Sequence, residues 1–168
     1  MQHSPERTCD LLLTADLLLT QNPERAVIHD AAVAVTGGSV AALGTRAEMA
    51  DWLAKDECRL GRALLMPGLI NAHTHASMTV FRGLADDLPL MDWLTQHIFP
   101  REKHLTSAIV ELGALLGCAE MIRTGTTAFS DMYLLEDAVA SAVDTSGLRC
   151  CMGEGMFAFP TPAYAAVE

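Results

Sequence analysis

The run ALLMPGLI, Ala63 to Ile70, constrains this chain more than any other stretch, because it leads straight into NAHTH, Asn71 to His75. A strand with one wet face alternates polar and apolar residues, so a nearly unbroken apolar run marks a parallel strand covered on both faces. The next hundred residues repeat the theme. After a polar loop comes LTSAIVELGALLGCAEMIRTG, in which Ile109, Leu112, Leu115, Leu116, Ala119 and Ile122 recur at helical spacing behind a Thr106 cap and before Gly125. GTTAFSDMY then reads as a second buried strand, LEDAVASAVDTSG as a second helix closed by Gly147, and LRCCMGEGMFAF as a third strand. The βαβαβ order places the chain in the α/β class, with a parallel sheet and right-handed crossovers.

Ahead of this region the grammar differs. DLLLTADLLLT and AVIHDAAVAVTGGSVAALG are short apolar runs punctuated by Asn22-Pro23 and Gly37-Gly38, which is the pattern of strands and hairpins. The near-duplicate DLLLT has no third copy and reads as one continuing strand. RAEMADWLAK is expected to form a short helix with Met49, Trp52 and Leu53 on one side. The change of pattern near residues 60–66 divides the chain into a strand-rich segment, 1–63, and a βα segment, 64–168.

Charge narrows the partners. With 21 acidic against 11 basic residues, a formal charge of −10 and no basic cluster, the surface repels phosphate backbones and anionic lipid, so neither nucleic acid nor membrane is expected. The N-terminal MQHSPERTCD lacks the apolar core of a signal peptide, and Asp16 interrupts the only early apolar run well short of a spanning length. A cytoplasmic location is therefore expected. Cys9, Cys58, Cys118, Cys150 and Cys151 form an odd set without a CxxC pair, as suits reduced thiols rather than a disulfide frame or a thiolate metal site.

Two histidines at the end of a buried strand need an explanation, because each neutral imidazole carries a donor and an acceptor that must be satisfied. Strand alternation puts Asn71, His73 and His75 on one face, so both imidazoles can converge on one ion. The C-terminal end of a parallel strand is also where barrels and open sheets place their sites. The plainer alternative is a pair of surface or core-edge histidines.

The string MPGLINAHTHASMTVFRGLADDLPLMDWL, joined later in the chain by GTTAFSDMY, resembles the start of the amidohydrolase superfamily barrel. The resemblance is to the branch of methylthioadenosine/S-adenosylhomocysteine deaminases and related triazine chlorohydrolases, and it runs through most of the chain. It implies a metal-dependent (β/α)8 barrel preceded by part of a small β-sandwich, with His73 and His75 as the first two ligands of one divalent ion, zinc in the first place and iron or manganese as alternatives. Family members complete the set with a histidine and an aspartate from later strands. Such an ion lowers the pKa of bound water from about 15.7 towards 7, and the resulting hydroxide attacks an sp2 ring carbon. Acid and base groups then protonate the departing ammonia.

The same resemblance aligns Glu102, in IFPREKHLT, with a glutamate that binds ribose hydroxyls; the plainer reading is a solvated carboxylate between Arg101 and Lys103. Trp93 is expected to anchor its loop on the barrel. Asp131 and Met132 end the second strand, where Asp131 could orient a ligand histidine from behind. Arg82, Asp86 and Asp87 read as a loop ion-pair group, and His97 and His104 as histidines without a metal role. Glu154 stands where some nucleoside deaminases carry a substrate-contacting arginine, which leaves the substrate open.

A barrel of this kind takes about 250 residues, whereas the βα segment ends at residue 168. Three expectations stand together. The whole protein deaminates adenosine derivatives such as 5'-methylthioadenosine and S-adenosylhomocysteine, hydrolysing a non-peptide C–N bond of a purine nucleoside, as a homo-oligomer when complete. Alternatively it is a triazine-type chlorohydrolase or a free-base deaminase. Or the chain is a truncated, non-catalytic fragment, with the catalytic acid and base beyond residue 168 and no closing element in its PTPAYAAVE tail.

Overall fold

A computed structural model describes residues 7–158, 160 and 161. The terminal segments MQHSPE and PAYAAVE, on which the signal-peptide and closing-element expectations fall, lie outside the described residues, as does Phe159. The chain forms two compact units, Met1–Pro67 and Gly68–Glu168.

The first unit is one mixed sheet. Its strands are β1 (Arg7–Leu19), β2 (Val27–Thr36), β3 (Ser39–Thr45), β4 (Trp52–Arg59) and β5 (Leu64–Leu65), in the order β3-β2-β1-β4, with β5 beside β1. β2 and β3 are joined at Gly37 and Gly38, whose φ values of 57° and 75° suit the tight hairpin that matches strand twist. Asp10 ties this turn to β4 by accepting from the Gly37 N–H at 2.7 Å and from Lys55 at 2.6 Å. Ala31 to Ala34 are buried on both faces of β2, with Cys9 and Met49 in one cluster and Leu18 and Val33 in the other. The helix expected over RAEMADWLAK is absent. Residues 46–51 are turns and Trp52 begins β4, which runs parallel to β1 from Arg7↔Trp52 to Thr14↔Arg59. The apparent helical spacing of Met49 and Trp52 comes from a single turn, in which the Trp52 N–H donates to the Met49 carbonyl at 3.1 Å. Sheet pairing overrides the local helix preference.

The apolar run around Pro67 serves both units. Leu64 and Leu65 pair with Leu17 and Leu18 of β1, and the chain then passes Pro67-Gly68 into β6 (Leu69–Thr74) of the second unit. Gly68 is required by close approach, since a Cβ there would lie 2.2 Å from Thr127 Cγ2. β6, β7 (Thr126–Tyr133) and β8 (Arg149–Glu154) form a parallel sheet in that order. Between β6 and β7 the chain runs through a 3-10 turn (Ala76–Phe81), α1 (Leu90–Asp92), a π-helical turn (Trp93–Ile98), α2 (Phe99–Glu102) and the long α3 (Ser107–Arg123). α4 (Glu136–Ser146) connects β7 to β8. β6 lies at the edge of this sheet, and Ile70 is 73% exposed instead of covered on both faces.

α3 begins at the Thr106 cap, whose hydroxyl accepts from the Ile109 N–H, but it buries a different stripe from the one expected. Val110, Gly113, Ala114, Gly117 and Cys118 face the core, while Leu112 is 67% exposed and Ile109, Leu116 and Ile122 are also exposed. The reason is distance. A Cβ at Gly113 would lie 2.4 Å from the Ser77 carbonyl oxygen, and one at Gly117 2.9 Å from that of Ala76. The small residues let the 3-10 turn lie directly against the helix, and Thr79 Oγ1 donates to the Gly113 carbonyl at 2.6 Å. No helix among the described residues is long and apolar enough to cross a membrane.

Candidate functional site

β6 delivers its histidines with an irregular ladder. Asn71 pairs with Phe129 and Thr74 with Asp131, so three steps on β6 match two on β7. This bulge interrupts strict alternation between residues 71 and 74, yet Asn71 and His75 line one cavity. Asn71 turns its amide towards Met121 of α3 at 3.9 Å and accepts from the His73 N–H at 3.3 Å. His73 and His75 flank Thr74, and their ring centroids are 5.1 Å apart at an interplanar angle of 76°.

His75 is held from behind. Its Nδ1 forms a short hydrogen bond with the Met132 carbonyl. A carbonyl only accepts, so Nδ1 carries the proton of this contact and Nε2 points the other way along the ring. Asp131, buried at the end of β7, accepts from the Ala76 N–H through both oxygens, at 3.0 and 3.3 Å. It therefore fixes the peptide after His75 and makes no hydrogen bond to either ring. Burial raises its pKa above the usual carboxylate range, against the Ala76 N–H, His75, the Met132 N–H and His73, which lower it. Among the described residues no group of three or more His, Cys, Asp or Glu side chains could hold a metal ion.

The second feature is Glu102. It lines a cavity of about 420 Å³ with Phe99, Leu134 and Phe157. The Tyr133 hydroxyl donates to its Oε1 at 2.6 Å, and the Tyr133 ring lies 5.8 Å from that of His75. Glu102 and the histidine pair are thus joined through one buried side chain. Burial and then the Glu102 carboxylate raise the Tyr133 pKa, so the phenol stays protonated as a donor. Sequence reasoning passed over Tyr133, although its signal was present: it lies two residues beyond Asp131 and so shares that residue's face of β7.

The remaining candidates fall elsewhere. Arg82 forms a bidentate pair with Glu120 of α3, 2.7 Å on each arm, rather than with Asp86 or Asp87. Glu154 caps α4, accepting from the Leu135 N–H at 3.0 Å and the Glu136 N–H at 2.8 Å, and so serves the helix terminus. Trp93 opens the π-helical turn half-buried. His97 belongs to that turn and His104 lies just after α2. Glu136 is 5% exposed, and the Tyr133 N–H approaches its carboxylate without completing a hydrogen bond. Burial, then Asp131 and Glu154, push its pKa up to about 7, with the Tyr133 N–H opposing them.

The model of the amidohydrolase family matches residues 64–167. The chain belongs to the amidohydrolase family. It is 63% identical over 161 residues to a 5-methylthioadenosine/S-adenosylhomocysteine deaminase of Nitratidesulfovibrio vulgaris, covering 95% of this chain and 36% of that protein. A crystal structure of an adenosine deaminase from Xanthomonas campestris with bound zinc superposes with a TM-score of 0.89 at 39% identity, covering 96% of this chain and 37% of that one. An atrazine chlorohydrolase from Arthrobacter aurescens, complexed with zinc, shares the fold at a TM-score of 0.75 and 18% identity, with 86% and 35% coverage. The chain thus spans about a third of the length of these amidohydrolases.

Proposed function

We propose that this chain is part of a metal-dependent amidohydrolase that removes the amino group of adenosine derivatives, 5'-methylthioadenosine and S-adenosylhomocysteine above all. The observation that carries the proposal is the histidine pair at the end of β6, with the His75 Nδ1 proton committed to Met132 and the two rings 5.1 Å apart. Two imidazoles side by side on fixed backbone suit zinc or a similar divalent ion. The name of the Nitratidesulfovibrio vulgaris relative supports the reaction, and the zinc in the Xanthomonas campestris structure supports the metal. In this reading residues 64–168 supply the first three βα units of a (β/α)8 barrel, and residues 1–63 supply part of a small β-sandwich. The cysteines, all of them free, suit a cytoplasmic protein.

What a bound ion supplies is hydroxide at neutral pH, because coordinated water ionises near pH 7 instead of about 15.7. This chain's residues do the positioning. His73 and His75 present lone pairs, the Met132 carbonyl sets the His75 tautomer, and Asp131 holds the next peptide along. Glu102, on the wall of the 420 Å³ cavity, accepts from the vicinal ribose hydroxyls, while Phe99, Leu134 and Phe157 exclude water around the nucleoside. Ammonia release from 5'-methylthioadenosine by the whole protein, before and after chelation and again after zinc is restored, tests the proposal. Loss and recovery of turnover are expected; turnover indifferent to chelation would refute it.

A further inference from the structure

Glu102 ends a helical run that continues without a break from Leu90 through the π-helical turn into α2. Ile98 is buried within this run and Leu105 just after it, whereas Glu102 itself is half-buried. An ordered backbone does not fix a long side chain's rotamer, and a carboxylate free to swing loses much of its advantage for two hydroxyls at a set spacing. Tyr133 comes from rigid structure. It ends the central strand β7, is buried at 7% exposure and pairs in register with Glu154, and its carbonyl accepts from the Gly155 N–H at 2.7 Å.

We infer that Tyr133 is a positioning residue for substrate: its phenol fixes the Glu102 carboxylate, and its ring, against His75, sets the spacing between the sugar-binding and metal-binding parts of the site. The inference rests on the proposed ribose role of Glu102. By occupying Oε1, the phenol leaves Oε2 and the remaining lone pair of Oε1 for a vicinal diol. One residue then touches both ends of the site, with 2.6 Å from hydroxyl to carboxylate and 5.8 Å from ring to ring. Discrimination between a nucleoside and its free base is therefore set partly by a side chain that need not contact the sugar.

The test is a double-mutant cycle in the whole protein, with Tyr133→Phe, Glu102→Ala and both together. It is assayed on 5'-methylthioadenosine, and on adenine as substrate or competitive inhibitor, with metal content measured for each variant. Tyr133→Phe keeps the ring and removes only the hydroxyl. It should retain the metal, raise KM for the nucleoside about 3- to 10-fold with little change in kcat, and leave adenine unaffected, as expected for one hydrogen bond. In the Glu102→Ala background the same change should cost nothing further. Equal losses on nucleoside and adenine, loss of metal, or a penalty that adds in full to that of Glu102→Ala would overturn the positioning role. If Glu102→Ala is costly for the nucleoside while Tyr133→Phe is silent, the inference about Tyr133 fails alone. If Glu102→Ala itself leaves the nucleoside unaffected, the ribose role of Glu102 fails with it.

Discussion

His75 gives its Nδ1 proton to the carbonyl oxygen of Met132, a residue at the end of the neighbouring strand, so the sheet itself chooses which imidazole nitrogen is free. The expected consequence is a difference between two amide replacements. In His75→Gln the side-chain oxygen reaches roughly where Nε2 stood, and in His75→Asn it stops near Nδ1. Zinc titration of the two variants should show tighter binding for the glutamine form. Equal affinity, or tighter binding by the asparagine form, would place the ligand atom on the wrong nitrogen here.

The stripe of small residues on α3 predicts an unusual response to alanine. Glycine to alanine in a helix interior normally stabilises by about 1 kcal/mol, yet at Gly113 the new Cβ would meet the Ser77 carbonyl oxygen at 2.4 Å and Val80 Cγ1 at 2.9 Å. Backbone on one side cannot rotate away, so Gly113→Ala should lower the denaturation free energy by about 1–3 kcal/mol. Gly117→Ala, with its nearest atom at 2.9 Å, should cost less. Urea unfolding of both variants measures the order. A stabilised Gly113→Ala would show that the turn after His75 is not pressed against α3.

Glu136 predicts how stability varies with pH. Its folded pKa is pushed up to about 7, so between its unfolded value and that point the folded state holds more protons than the unfolded one. Stability from this group is therefore fully present only below the ordinary value of 4.5 and is lost progressively as pH rises from there through about 7, by about 2–3 kcal/mol for a carboxyl 5% exposed. Glu136→Gln should abolish that fall, and denaturant midpoints from pH 5 to 8 for both proteins would show it. A wild-type curve that rises over this interval in parallel with the variant would contradict the assignment.

The fold was legible where the physics is local. Alternation of β and α patterns from residue 64 onward led to the parallel order β6-β7-β8, and the Thr106 and Gly147 caps bound helices found in place. Periodicity failed on α3 because the helix is apolar nearly all round, and the buried stripe was selected by how closely the turn at Ser77 approaches. It failed again at Trp52, where pairing with β1 outweighs a helical pattern ten residues long. The histidine pair was visible as spacing in the sequence, but its neighbours were not. The bulge after Asn71, the Met132 carbonyl behind the pair and the hydroxyl of Tyr133 on Glu102 all depend on register between strands distant in the chain.

The most direct measurement is metal content and ammonia release together, in the whole protein and in its His73→Ala and His75→Ala variants. One divalent ion per wild-type chain and ammonia from 5'-methylthioadenosine are expected. Each variant should lose the ion and with it all but a trace of turnover, while remaining folded. Variants that keep both the wild-type ion content and the wild-type rate would contradict the assignment of His73 and His75 as metal ligands, and with it the proposed chemistry.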